Sequence, residues 1–165
     1  MNATFTRLTE GFKQWLGILG YEASTVKSLP RSVNHFFEHM QAYEIGRLSD
    51  IAQNHIQSWY EGQKPRKSKL TGELLKNSTL NGINRTMRLF SRYLEETGQG
   101  VLTIDIPSED KEPPHREILT REEVQQLYNA TDETILGLRD RAILSIYYGC
   151  GIRCKEGIFL AISDI

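Results

Sequence analysis

The stretch NSTLNGINRTMRLFSRYLEETG, residues 77–98, carries apolar side chains at Leu80, Ile83, Met87, Phe90 and Leu94. Their alternating spacing of three and four aligns them along one side of an α-helix. Asn77 and Ser78 are residue types that cap a helix start, and Gly98 is one that closes a helix end. A helix with one apolar stripe gains its stability by burying that stripe against neighbours, so this segment calls for a bundle around it.

The same period recurs upstream. Phe5, Leu8, Phe12, Trp15 and Leu19 mark a first helix that Gly20 ends. Ser24-Thr25 opens a second through Val26, Leu29, Val33, Phe36, Phe37 and Met40, in which Pro30 demands a kink or a later start. Leu48-Ser49-Asp50 offers caps for a third carrying Ile56, Trp59 and Tyr60, closed by Gly62 and followed by a basic loop over 63–70. The fold expected is all-α, with a four-helix bundle over residues 1–99. Residues 100–115, with Pro113-Pro114, read as a linker. Thr120-Arg-Glu-Glu123 is a capping box, with Leu119 and Val124 as its hydrophobic staple, and it opens a second region over 116–165. Val124, Leu127 and Tyr128 are its expected inward face, and Leu138 to Tyr148 has the pattern of a helix covered on most sides, although Ile143, Leu144, Ile146, Phe159, Leu160 and Ile162 are expected to lack covering partners within residues 116–165.

The 165 residues are 39% hydrophobic and 25% charged, the balance of a globular protein. No apolar run approaches the ~20 residues that span a bilayer, and the N-terminus lacks the order of a secretory signal, so a cytoplasmic address is expected. Cys150 and Cys154 read as reduced thiols. The net charge of -1 conceals an uneven distribution. Lys64, Arg66, Lys67, Lys69, Lys76, Arg85, Arg88 and Arg92 are opposed over their own stretch only by Glu73, whereas Asp105, Glu109, Asp110, Glu112, Glu117, Glu122 and Glu123 follow later. Arg85, Arg88, Arg92 and Asn81 lie off the apolar stripe, joined by Lys76 and Thr79. Such a face combines phosphate-seeking charge with amide and hydroxyl groups able to meet base edges, and duplex DNA is its expected partner. A solvated helix back facing an acidic protein partner is the competing reading.

Two motifs complete the pattern. His35-Phe-Phe-Glu38-His39 has the spacing of an inverted zinc-peptidase motif, but five letters on an amphipathic helix arise easily by chance, and no metal is expected. In YYGCGIRCKEG, residues 147–157, Gly149 and Gly151 permit a tight turn before Arg153 and Glu156, which would hold the guanidinium rigidly for an anion such as phosphate.

Leu119-Thr-Arg-Glu-Glu-Val, Leu138-Arg-Asp-Arg-Ala-Ile-Leu, Tyr148-Gly-Cys-Gly-Ile-Arg153-Cys-Lys-Glu156-Gly and Ser163-Asp-Ile together resemble the start of the catalytic domain of tyrosine recombinases, the phage-integrase family, in the form found in mobile elements. Ser78 to Leu94 resembles the last DNA-contacting helix of that family's SAM-like core-binding domain. The resemblance implies a metal-free, cofactor-free reaction on DNA, in which a tyrosine attacks a phosphate and arginines, a lysine and histidines stabilise the charge. Arg153 stands at the first arginine and Glu156 at a shape-holding position. The remaining catalytic residues of the pattern, the nucleophile included, would lie beyond Ser163-Asp164-Ile165, so the chain alone is expected to be a truncated, inactive recombinase that binds DNA and other recombinase protomers, with no membrane or small-molecule partner. A regulator that blocks the complete enzyme is the second functional expectation, and an interaction module without DNA affinity the third.

Overall fold

A computed structural model of the chain describes residues 2–110 and 118–164, and within them the protein is all-α. Two compact units divide the chain, Met1–Pro113 and Pro114–Ile165. Lys111 to His115 of the expected linker, and Glu117, lie outside the described residues.

The N-terminal unit holds α1 (Ala3–Ile18), α2 (Ala23–Ala42), α3 (Gln53–Glu61) and α4 (Asn77–Glu96). Each helix sends a ring or long aliphatic chain inward because each carries the three-four stripe. Phe5 of α1 stacks on Phe37 of α2 with centroids 4.0 Å apart, and Phe37 meets the edge of Phe90 of α4 at 5.6 Å. Phe12 packs against Phe90 at 5.3 Å, and Phe36 takes Trp59 of α3 edge-on at 5.1 Å. Tyr93 reaches α1 at Gly11, where a Cβ would overlap its phenol oxygen, so the close approach of α1 and α4 needs a glycine there.

Several expected details change. Leu19 is the C-cap of α1 and half exposed, and Leu16 fills the stripe instead, because the apolar face runs 5, 8, 12, 16 once the helix stops at Ile18. α2 starts before Pro30, at Ala23, with Glu22 accepting from the Ser24 N–H at 2.9 Å; it passes through Pro30, whose ring is buried. Leu48–Asp50 forms its own short 3₁₀ turn rather than the cap of α3. Ala52 is the N-cap there, and its N–H donates to His55 Nδ1 at 3.1 Å. Lys76 is the N-cap of α4, which leaves Asn77 inside the first turn. The largest change concerns residues 101–110, expected as linker: Leu102 and Ile106 are buried in the bundle core. This segment is a strap along α4.

The C-terminal unit holds α5 (Arg121–Asn129), α6 (Ile135–Leu144), a π-turn (Ser145–Gly149) and α7 (Cys154–Ile158). The capping box forms as the sequence expects, with Glu123 N donating to Thr120 Oγ1 at 3.2 Å and Thr120 N to Glu123 Oε2 at 2.7 Å. α6 begins three residues before the expected Leu138 because Thr134 caps it, its Oγ1 accepting from Gly137 N at 3.2 Å. Val124 is buried, whereas Leu127 stays exposed against expectation; Leu138 is exposed as well, and Ile143, Phe159 and Leu160 are exposed as expected of residues that lack covering partners. Between α6 and the residues after it lies an apolar groove of about 510 Å³ lined by Ala142, Ile146, Ile152 and Leu160 among others.

Candidate nucleic-acid interface

Beside its apolar stripe α4 carries a second, polar one with the same period: Asn77, Asn81, Asn84, Arg88 and Ser91. The strap occupies it. Asn77 Nδ2 donates to Asp110 O at 3.1 Å, and Asn81 forms a reciprocal pair with Glu109, Nδ2 to O at 2.9 Å and N to Oδ1 at 2.8 Å. Asn84 Nδ2 donates to Ile106 O at 3.0 Å, Arg88 Nη2 to the same carbonyl at 2.7 Å, and Ser91 Oγ to Leu102 O at 2.5 Å. Together they replace the ladder an extended strap would find in a sheet, so its buried carbonyls are satisfied. Asn81 and Arg88, expected to face DNA, therefore hold the chain's own backbone. Asn77, Asn84 and Ser91 were missed, although their spacing of four and three was as legible as that of the apolar stripe.

The acidic strap also takes up part of the basic set. Glu109 Oε1 accepts from Tyr60 OH at 3.2 Å and lies 3.1 Å from Lys64 Nζ, which also meets Glu61 at 3.1 Å. These contacts, Glu61 first, raise the Lys64 pKa. Arg92 pairs with Glu96 at 2.7 Å, and Arg66 donates to Gln63 Oε1 at 2.5 Å. Among the described residues the side chains of Lys67, Lys69, Lys76 and Arg85 engage no acceptor. Thr79 is exposed beside them in the first turn of α4. A polar cleft of about 250 Å³ lies where α4 meets the strap, lined by Asn81, Asn84, Arg85, Arg88, Ser108 and Glu109.

Burial, and then the charge and hydrogen bond of Glu109, push the Tyr60 hydroxyl up to about 12 from an ordinary 10.0. The unfolded chain ionises this tyrosine first, so the folded state loses relative stability as pH rises from about 10 and levels off beyond about 12. Urea unfolding of wild type and Tyr60→Phe across that window is expected to show the alkaline decline reduced in the variant; parallel curves would assign the decline to other groups.

In the C-terminal unit Arg153 is the N-cap of α7. Its N–H donates to Glu156 Oε2 at 2.8 Å and its Nη1 to Glu156 Oε1 at 2.9 Å, and these two bonds hold the Glu156 carboxyl below its ordinary pKa. Gly151 adopts φ 63°, the left-handed turn expected, whereas Gly149 sits in the π-turn without positive φ. The Arg153 side chain is 85% exposed, so the turn does not clamp the guanidinium as expected; one i,i+3 ion pair orients it. Cys150 and Cys154 are free and exposed. His35 Nδ1 lies 3.2 Å from Glu38, while His39 packs on Tyr43 with centroids 5.0 Å apart; burial lowers its pKa. Among the described residues no trio of His, Cys, Asp or Glu is gathered to hold a metal ion, and no helix is long and apolar enough to cross a membrane.

No family model matches the chain, and no solved structure does. Curated relatives do match. The chain is 27% identical over 165 residues to "Tyrosine recombinase XerC 2" of Ralstonia nicotianae, an alignment covering 97% of this chain and 47% of that protein. It is 26% identical over 157 residues to "Tyrosine recombinase XerD" of Listeria innocua, covering 88% and 48%. Over 98 residues, 56% of this chain and 31% of the relative, it is 36% identical to "Tyrosine recombinase XerC" of Oceanobacillus iheyensis. Over most of its length the chain is similar to tyrosine recombinases. It spans about half the length of the curated recombinases it matches. The all-helical architecture agrees with the helical bundle that this similarity implies, and the near-complete coverage of this chain means that the match draws on both units.

Proposed function

We propose that this chain binds duplex DNA for site-specific recombination, with the N-terminal unit, strap included, as the DNA-gripping module. The observation that carries this reading is the set of cations Lys67, Lys69, Lys76 and Arg85, which engage no acceptor among the described residues and stand on the α3–α4 loop and the outer edge of α4. Unpaired cations on ordered backbone are available for phosphate oxygens without first breaking an internal bond. Arg66, Arg92, Lys64 and Thr79 serve at the rim, where the ion pairs of Lys64 and Arg92 exchange with solvent at little cost. Asn81 and Arg88 act by fixing the strap.

Arg153 in this proposal meets the scissile phosphate. Its exposed guanidinium keeps N–H groups free beyond the one given to Glu156, and a planar fork suits two phosphate oxygens at once. Glu156 orients that fork from one turn away. The reaction needs no metal or cofactor in this scheme, and further recombinase protomers are its proposed protein partners. The chain by itself is proposed to bind without cutting, because every tyrosine lies ahead of Arg153 and none stands where the family pattern places the nucleophile.

Amide hydrogen exchange of the full chain with and without a duplex tests the location. Protection is expected over residues 64–92 at the loop and outer edge of α4, with the strap at 101–110 unchanged. Protection confined to the strap, or none at all, would overturn the assignment.

A further inference from the structure

The α3–α4 loop, expected only as a basic loop, is an ordered hairpin. Lys67 and Leu74 form an antiparallel bridge, Ser68 N donates to Glu73 O at 2.7 Å and Leu75 N to Arg66 O at 3.0 Å. The turn beyond the bridge is locked twice: Ser68 Oγ accepts from Leu70 N at 3.2 Å and Thr71 N at 3.3 Å, and Gly72 N returns to Ser68 O at 2.9 Å. Gly72 supplies the left-handed φ of 72° that the return needs. At the tip Leu70 is 94% exposed, preceded by Lys69 and, on the same leading strand, by Lys67. A leucine there adds nothing to the core, yet hydrogen bonds on both sides fix its backbone.

We propose that this hairpin is a minor-groove wedge, in which Leu70 inserts at a base step while Lys67 and Lys69 take phosphates beside it. The proposal rests on the DNA-binding reading of α4 and goes beyond it by assigning a groove and an intercalating side chain. A tip one side chain wide fits a groove ~6 Å across, and an apolar wedge with flanking cations is the chemistry that partly unstacks and kinks a duplex there. The hairpin leads straight into α4, whose N-cap is Lys76. Glu73, the acidic residue of the hairpin, stands on the return strand rather than at the tip, its backbone carbonyl accepting from Ser68 N.

The test uses the full chain, an A/T-rich duplex of about 30 base pairs carrying a donor and an acceptor dye at its ends, and the minor-groove ligand distamycin. Saturating wild-type protein is expected to raise end-to-end energy transfer, and distamycin to weaken its binding. Leu70→Ala should abolish the rise in transfer and weaken binding about tenfold, consistent with one buried leucine offset by unstacking. Its melting temperature should match wild type, since the side chain is solvent-exposed. Lys67→Ala with Lys69→Ala should weaken binding more as salt is lowered. Equal bending by wild type and Leu70→Ala, or indifference to distamycin, would overturn the wedge while leaving DNA binding intact. Absence of any duplex binding by wild type would overturn the underlying DNA reading and the wedge with it.

Discussion

Replacing Phe37 with alanine is expected to lower the melting temperature of the N-terminal unit by about 15 °C or more. Phe37 is fully buried and lies where helices α1, α2 and α4 meet, stacked on Phe5 at 4.0 Å and set edge-on to Phe90 at 5.6 Å. Truncating a buried phenylalanine costs roughly 3–5 kcal/mol, because the transfer energy of the ring is lost and the neighbours refill the cavity only partly. Against a total stability of about 5–15 kcal/mol, that is a large fraction. Each kcal/mol shifts the melting point of a domain this size by about 4–8 °C. The comparison is Leu19→Ala, on the stripe expected for α1 but half exposed, which should change stability by no more than about 0.5 kcal/mol. Circular dichroism melts of both variants check the pair; a Phe37→Ala shift of only a few degrees would show that this three-helix junction is not the centre of the fold.

The second large effect is on DNA. Removing Lys67, Lys69 and Arg85 together takes away cations with no partner among the described residues, so the loss is expected to fall on the proposed phosphate contacts with little cost to the fold. Each phosphate neutralised contributes about 0.9 to the slope of log affinity against log salt, so the triple alanine variant should lose about 2.7 of that slope and bind about 100-fold more weakly near 0.1 M salt. Arg88→Ala is the contrasting variant. Its guanidinium holds Ile106 O at 2.7 Å, so its removal should loosen the strap and cost stability while leaving the slope nearly unchanged.

The apolar periods made the bundle legible, because burial of one stripe per helix is a property each segment carries by itself. The segment after Gly98 was not legible in that way. Leu102 and Ile106 are four apart with no helical run around them, and their role depends on the polar stripe of α4, a pairing between segments rather than within one. Charge counting located the basic region but could not divide it. Lys64 is engaged by Glu61 and Glu109, distant and near in sequence alike, and Arg88 by a backbone carbonyl that no side-chain inventory would suggest. Arg153 shows the same limit from the other side: the motif singled it out, while its side chain stands 85% exposed rather than clamped by the turn.

The dissociation constant of the full chain for a duplex, measured across a series of salt concentrations for wild type and for the Lys67, Lys69 and Arg85 triple variant, tests most directly whether the loop and the edge of α4 grip DNA. A steep linear fall for wild type, with a slope shallower by about 2.7 in the variant, is the expected result. Superimposable slopes, or wild-type binding that does not respond to salt, would contradict it.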